Sequence, residues 1–167
     1  MVWQGAWPSH EMNQSKKKLI ELRTELNKSD TEMPTEIRAA LSRFLIVRAC
    51  GHVEFTFVEA FCGFTESRSS PMVAKYIRKG FDRGLNPRSW RLIETVERLD
   101  SSFSSLFTEY LNEDGKLRKE DLEDLVSLRN AIAHGKREGA NTARALKLAD
   151  FSIELSDWLG NILNPQN

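Results

Sequence analysis

At 167 residues the chain has the size of one domain, and its 40% apolar residues are enough for a real core. Twenty-four basic and twenty-four acidic side chains cancel, so overall charge points to neither a nucleic-acid nor a membrane partner. The most apolar stretch, residues 44–64, is interrupted by Arg48, His52, Glu54 and Glu59 and cannot span a bilayer.

Taken in chain order, the pattern is helical almost throughout. Residues 1–13, with Trp3 and Trp7, read as a peripheral N-terminal segment packing on the chain's own bundle; the start lacks the basic residues and apolar run of a signal peptide, and a cytoplasmic address is expected. Leu19, Leu22 and Leu26 recur at helical spacing and predict a first helix from about Gln14 to Lys28, closed by Ser29, Asp30 and Thr31. A long second helix opens near Met33-Pro34, with the proline in a tolerated first-turn position, and runs to about Phe64. Ser69-Ser70-Pro71 opens a third, Met72 to Lys79, and Asn86-Pro87 marks the cap and first turn of a fourth, Arg88 to Leu99. A short fifth helix covers Phe103 to Leu111, followed by a turn at Asn112-Glu113-Asp114-Gly115. The sixth runs from about Arg118 to His134 and the last from Thr142 to Leu163. With no repeat or domain boundary, the chain reads as all-α, a single bundle of about five to seven helices on an antiparallel core.

The sixth helix carries the most informative run, Arg129-Asn130-Ala131-Ile132-Ala133-His134-Gly135. At about 100° per residue, Leu122, Leu125, Leu128 and Ile132 form one apolar stripe, and Asn130 and His134 point nearly opposite, toward solvent or a partner. Arg129 and His134 are five apart, about 140° around the helix, so one helix cannot easily aim both at one atom. Two copies meeting across a two-fold axis would bring them together. Gly135 fits the left-handed residue just past a helix end.

Other chemistries are weaker. His10, His52 and His134 share no metal-ligand spacing with each other or with the cysteines, no phosphate-binding glycine loop follows a strand, and no strand exists to build a serine-hydrolase elbow. Cys50 and Cys62, roughly 18 Å apart along one helix, read as small core residues of a reducing compartment. His52 reads as a structural, hydrogen-bonded histidine. Glu54 lies with Val47, Val58 and Phe61 near an apolar face and needs a partner: Arg129, nearby Arg48, or solvent at the bundle rim. Local charge is uneven. Lys75, Arg78, Lys79, Arg83, Arg88 and Arg91 surround the single acid Asp82, and Lys136 and Arg137 follow the motif, which suits a phosphodiester ligand.

An arginine, a polar residue, three more residues and a histidine at a helix end, in a small all-helical chain, resemble the HEPN superfamily, in its ribonuclease toxin and defence-like branch of the RiboL-PSP-HEPN type. The run Leu45-Ile46-Val47-Arg48-Ala49-Cys50-Gly51-His52-Val53-Glu54 is similar to that branch's first core helix, and the helix order fits over residues 35 to 163. The resemblance implies a homodimer and a metal-independent endoribonuclease of toxin-antitoxin or antiviral-defence type. Arg129, Asn130 and His134 would be catalytic, Glu54 supporting, and Lys136, Arg137, Arg78, Lys79, Arg83 and Arg88 candidates for RNA binding. It implies no metal and no cofactor, and allows an antitoxin or other inhibitor protein as partner. One branch carries, two residues after the histidine, a tyrosine that its partner modifies. Here that residue is Lys136, so that form of regulation is not expected. The competing expectation is a non-catalytic dimeric module that binds RNA, a nucleotide or a protein.

Overall fold

The computed structural model describes residues 5–28, 33–113, 115–136 and 139–167. Trp3, the turn at Ser29, Asp30 and Thr31, Asp114 and Arg137 lie outside the described residues. Among the described residues seven helices run in order: α1 (His10–Lys28), α2 (Thr35–Glu66), α3 (Pro71–Lys79), α4 (Ser89–Glu97), α5 (Ser101–Leu111), α6 (Arg118–Ala133) and α7 (Thr142–Ile162). No strand occurs among the described residues, and the all-α expectation is met.

α2 is the axis of the bundle because it is apolar around most of its circumference. Leu45, Ile46, Ala49, Cys50, Val53, Phe57 and Ala60 are all fully buried, and the small members let neighbouring helices approach closely. The longest packing contact is with α7. The hydroxyl contact between Ser42 and Thr142, 3.1 Å at the start of both helices, makes this pair parallel. The antiparallel packing lies around it. Lys16 and Arg23 of α1 reach Asp157 and Asp150 of α7, and Arg118, Asp121 and Asp124 of α6 meet Glu154, Lys147 and Arg144 of α7. In both sets one helix's numbers rise as the other's fall. α6 therefore runs antiparallel to α2 as well.

Helix starts differ from the sequence reading where capping decides them. α1 begins at His10, four residues before Gln14, because Ser9 Oγ accepts the Met12 amide hydrogen bond and Met12 is already buried. Pro34 precedes the first turn of α2 instead of lying inside it. α4 begins at Ser89, not within Asn86-Pro87-Arg88. Its cap is tertiary, since Glu123 of α6 accepts hydrogen bonds from both the Ser89 amide (2.9 Å) and the Ser89 hydroxyl (2.7 Å). α4 also ends earlier, at Glu97, because Asp100 accepts from the Ser102 amide and starts α5 at Ser101. Trp7 packs on the bundle, with its indole N–H donating to the Gly160 carbonyl at 2.8 Å.

His52 is 3% exposed, with Nδ1 at 2.9 Å from the Ser15 hydroxyl of α1. Burial pushes its imidazole down to about 4 from an ordinary 6.5, against the opposing field of Asp157 and with smaller contributions from Lys16 and Arg48. The unfolded chain then binds a proton that the folded chain refuses. Stability is present in full above the unfolded value and is lost as pH falls toward 4. From pH 7.5 to 5 the expected loss is about 2 kcal/mol. Urea titrations of the parent and His52→Gln across that range measure it, and equal pH slopes for the two proteins would contradict it.

Candidate functional site

The end of α6 is shaped by its backbone. The His134 amide donates to the Asn130 carbonyl (3.1 Å), Gly135 to Ile132 (2.9 Å) and Lys136 to Ala131 (2.9 Å). The last two bonds form a Schellman closure, and Gly135 has φ +75° as that closure requires. Among the described residues, apart from its chain neighbours, no atom lies within 4 Å of a Cβ built on Gly135, so the cost of a side chain there is conformational, about 1 kcal/mol. Gly135→Ala is accordingly expected to lower the melting temperature by roughly 2–4 °C. An unchanged melting temperature would mean that the turn is not held in this form.

Above the closure, Glu123, Ser127, Asn130 and His134 share one face of α6, at helical intervals of four, three and four. His134 is exposed, and its ring has no hydrogen-bond partner among the described residues. Asn130 is half-buried. Arg129 turns to the flank that faces α2. Its Nη1 donates to Asn130 Oδ1 at 3.0 Å, and its Nη2 lies 3.8 Å from Glu54 Oε2. The second contact is an ion pair beyond hydrogen-bond length, which restrains the guanidinium without locking it.

Glu54 therefore faces Arg129, the first of the three partners left open by the sequence. Its other oxygen accepts the Leu85 amide hydrogen at 2.7 Å. Gly84 comes so close that a Cβ there would sit 2.9 Å from Glu54 Oε1, and its φ is +76°. A glycine is needed at this point both for the left-handed turn and for the approach. One carboxylate thus ties the loop after α3 to α2 and to the motif arginine. Burial pushes the neighbouring Cys50 thiol up to about 11, and Cys62 likewise. Both cysteines are free and buried in the core.

The basic residues separate into two groups. Arg88 joins the motif face of α6, with Nη1 at 2.6 Å from Glu123 and 3.1 Å from the Ser127 hydroxyl. Arg83, exposed, immediately precedes the Gly84-Leu85 approach to Glu54. Lys136 is exposed just past the closure. Arg78 is directed elsewhere. Its guanidinium bonds Glu59 (2.9 Å) and Glu66 (2.8 Å) on the later half of α2, which together hold its pKa above the ordinary arginine value despite desolvation, and its charge is already balanced. Lys79 is exposed at the end of α3, beside Arg78.

Sequence reasoning missed Glu123 and Ser127, although the same projection that separated Asn130 and His134 from the core places them on that face. It also missed Trp90, 61% exposed on α4 two residues after Arg88. Its neighbouring cations are paired, Arg88 with Glu123 and Arg91 with Glu94, and the Arg91 guanidinium lies 5.8 Å from the indole centre; an exposed indole can stack on a nucleic-acid base. Among the described residues no group of three histidine, cysteine or acidic side chains is placed to hold a metal ion, and no described helix is long and apolar enough to cross a membrane. The family model described as RiboL-PSP-HEPN matches residues 10–164. No curated protein and no solved structure matches the chain significantly.

Proposed function

We propose, since this chain belongs to the RiboL-PSP-HEPN family, that it is a metal-independent endoribonuclease whose cleft is completed by a second copy of itself. The observation that carries this reading is the helix end. An exposed imidazole, an amide on the same face and a loosely held guanidinium on the adjoining flank are the groups that RNA transesterification needs. Neutral His134 takes the proton of a ribose 2′-hydroxyl as that oxygen forms a bond to phosphorus. The P–O5′ bond breaks, and the partner subunit's His134, protonated, gives its proton to the leaving 5′-oxygen. The products are a 2′,3′-cyclic phosphate and a 5′-hydroxyl. Arg129 carries a permanent charge and parallel N–H donors to the phosphoryl oxygens as negative charge grows on them. Asn130 orients Arg129 through the 3.0 Å bond between them. Glu54 keeps the guanidinium at the cleft until a phosphate competes for it.

The second copy has a surface to use. Ile37 and Phe44 (both 52% exposed) and Val47 (37%) leave an apolar strip on α2, and Val47, Gly51 and Glu54 follow one another at helical spacing. The antiparallel course of α6 carries His134 past Glu54 toward this strip. Pairing two copies here would cover exposed apolar area and bring two motifs together. Phe44→Glu is expected to weaken dimerisation about 30-fold, as loss of a central apolar anchor does, and to reduce cleavage in proportion. Sedimentation over a concentration series measures the first effect; an unchanged dimer would move the interface away from α2.

The function is tested by incubating mixed cellular RNA with the full chain in excess chelator. Cleavage is expected. RNA bound and left intact by a folded dimer would replace this reading with the non-catalytic binding module.

A further inference from the structure

After α2 the chain turns into α3 and retraces the later half of α2 toward the motif. Arg78 bonds Glu59 and Glu66, the Phe81 ring meets Phe61 edge-on at 5.5 Å, and the Leu85 amide reaches Glu54. One side of α3 is thereby held against α2, with Ala74 buried and Ile77 and Arg78 half-buried. At about 100° per residue the opposite side carries Met72, Tyr76 and Lys79, flanked by Lys75 and Val73. Met72 and Tyr76 are each 80% exposed. Lys75, Lys79 and Arg83 are exposed as well, and none of the three has an ion-pair partner among the described residues. Asp82 is the one acid between Lys75 and Arg91.

The chemistry that this face would recognise follows from its spacing. Lys75 and Lys79 are one turn apart, about 6 Å along the helix, close to the separation of neighbouring phosphates on an extended strand, and Arg83 continues the row toward Glu54. An exposed phenol ring beside such a row offers a platform for an unpaired base. A duplex keeps its bases stacked on one another and leaves the ring without a partner. We propose that the outer face of α3 is the track for the single-stranded RNA flanking the cut, with Lys75, Lys79 and Arg83 on its phosphates and Tyr76 stacked on a base. The proposal rests on the ribonuclease reading for its ligand. An acidic protein would also meet these charges, but the course of Arg83 into the contact between Glu54 and Arg129 favours the strand that the cleft would cut.

The test is an anisotropy titration of the full chain with a fluorescent 2′-O-methyl RNA of about 12 nucleotides, whose blocked 2′-oxygen cannot attack. Tyr76→Ala is expected to weaken binding roughly tenfold. Lys75→Gln combined with Lys79→Gln should make the fall of log K with log salt shallower by about 1.4, as loss of two phosphate contacts on a single strand requires. These side chains are exposed, so the variants are expected to melt with the parent. Binding that depends on Tyr76, from a protein that cleaves no RNA, would remove the nuclease chemistry and keep the track. Two results overturn the proposal: no binding of this strand by the parent, or affinity and salt slope unchanged in the variants, which would leave the face to an acidic protein.

Discussion

RNA cleavage by the His134→Ala protein is expected to fall roughly 10²- to 10⁴-fold below the parent, the usual contribution of a positioned acid–base group, with no measurable change in melting temperature. The two halves of this expectation have separate causes. His134 is exposed, and its side chain has no hydrogen-bond partner among the described residues. Its backbone N–H donates to the Asn130 carbonyl at the helix end, a bond that alanine keeps. Nothing structural is lost, and exposed substitutions of this kind stay within about 0.5 kcal/mol. On the proposed mechanism the reaction would lose both proton transfers at once, because one substitution would remove the imidazole from each subunit of the proposed dimer. Arg129→Lys is the matching control for charge. Lysine keeps the positive charge but not the planar pair of donors, so a large rate loss there with folding intact would tie the arginine to the phosphate geometry. Rates in chelator, measured beside melting curves, decide both. A His134→Ala protein that cleaves as fast as the parent would remove this histidine from the chemistry.

The largest effect on stability is expected from Phe57→Ala. Phe57 is fully buried on α2 and lies against Phe61, ring centres 6.0 Å apart. Removing the ring leaves a cavity at the axis of the bundle, where α2 packs on α1, α6 and α7, and close packing around it restricts collapse into the space. Losses of about 3–5 kcal/mol are usual for such a change, against a total of roughly 5–15 kcal/mol for a domain. The urea midpoint should fall accordingly, with the slope of the transition unchanged. A loss below about 1 kcal/mol would show that the ring is not part of a close-packed core.

What was legible in the sequence was governed by local periodicity and local backbone chemistry. The leucine spacing of α1 and the apolar stripe of α6 were readable because a helix repeats every 3.6 residues whatever surrounds it. Gly135 was readable because a left-handed helix end favours glycine on its own account. The separation of Arg129 from His134 needed nothing beyond the helical angle, and it survives in side chains that turn to different faces. What was not legible depended on contacts between distant segments. α4 starts where Glu123 of α6 caps it, so its first residue is decided 34 positions downstream. Arg78 belongs to a basic stretch in the sequence, yet in the fold two glutamates of α2 balance it. Glu54 had three open partners, and the loop amide of Leu85, its shortest hydrogen bond, was not among them. The parallel course of α2 and α7 was also hidden, because it is set by the path of α3 to α6 between them.

The most direct test of the account is the chemistry of the cut ends. RNA cleaved by the parent protein in chelator, with His134→Ala as the blank, should carry 2′,3′-cyclic phosphate and 5′-hydroxyl termini, because in the proposed reaction the attacking oxygen is the substrate's own 2′-hydroxyl. Termini with 3′-hydroxyl and 5′-phosphate would mean that water attacks instead, and would contradict the roles given to His134 and Arg129.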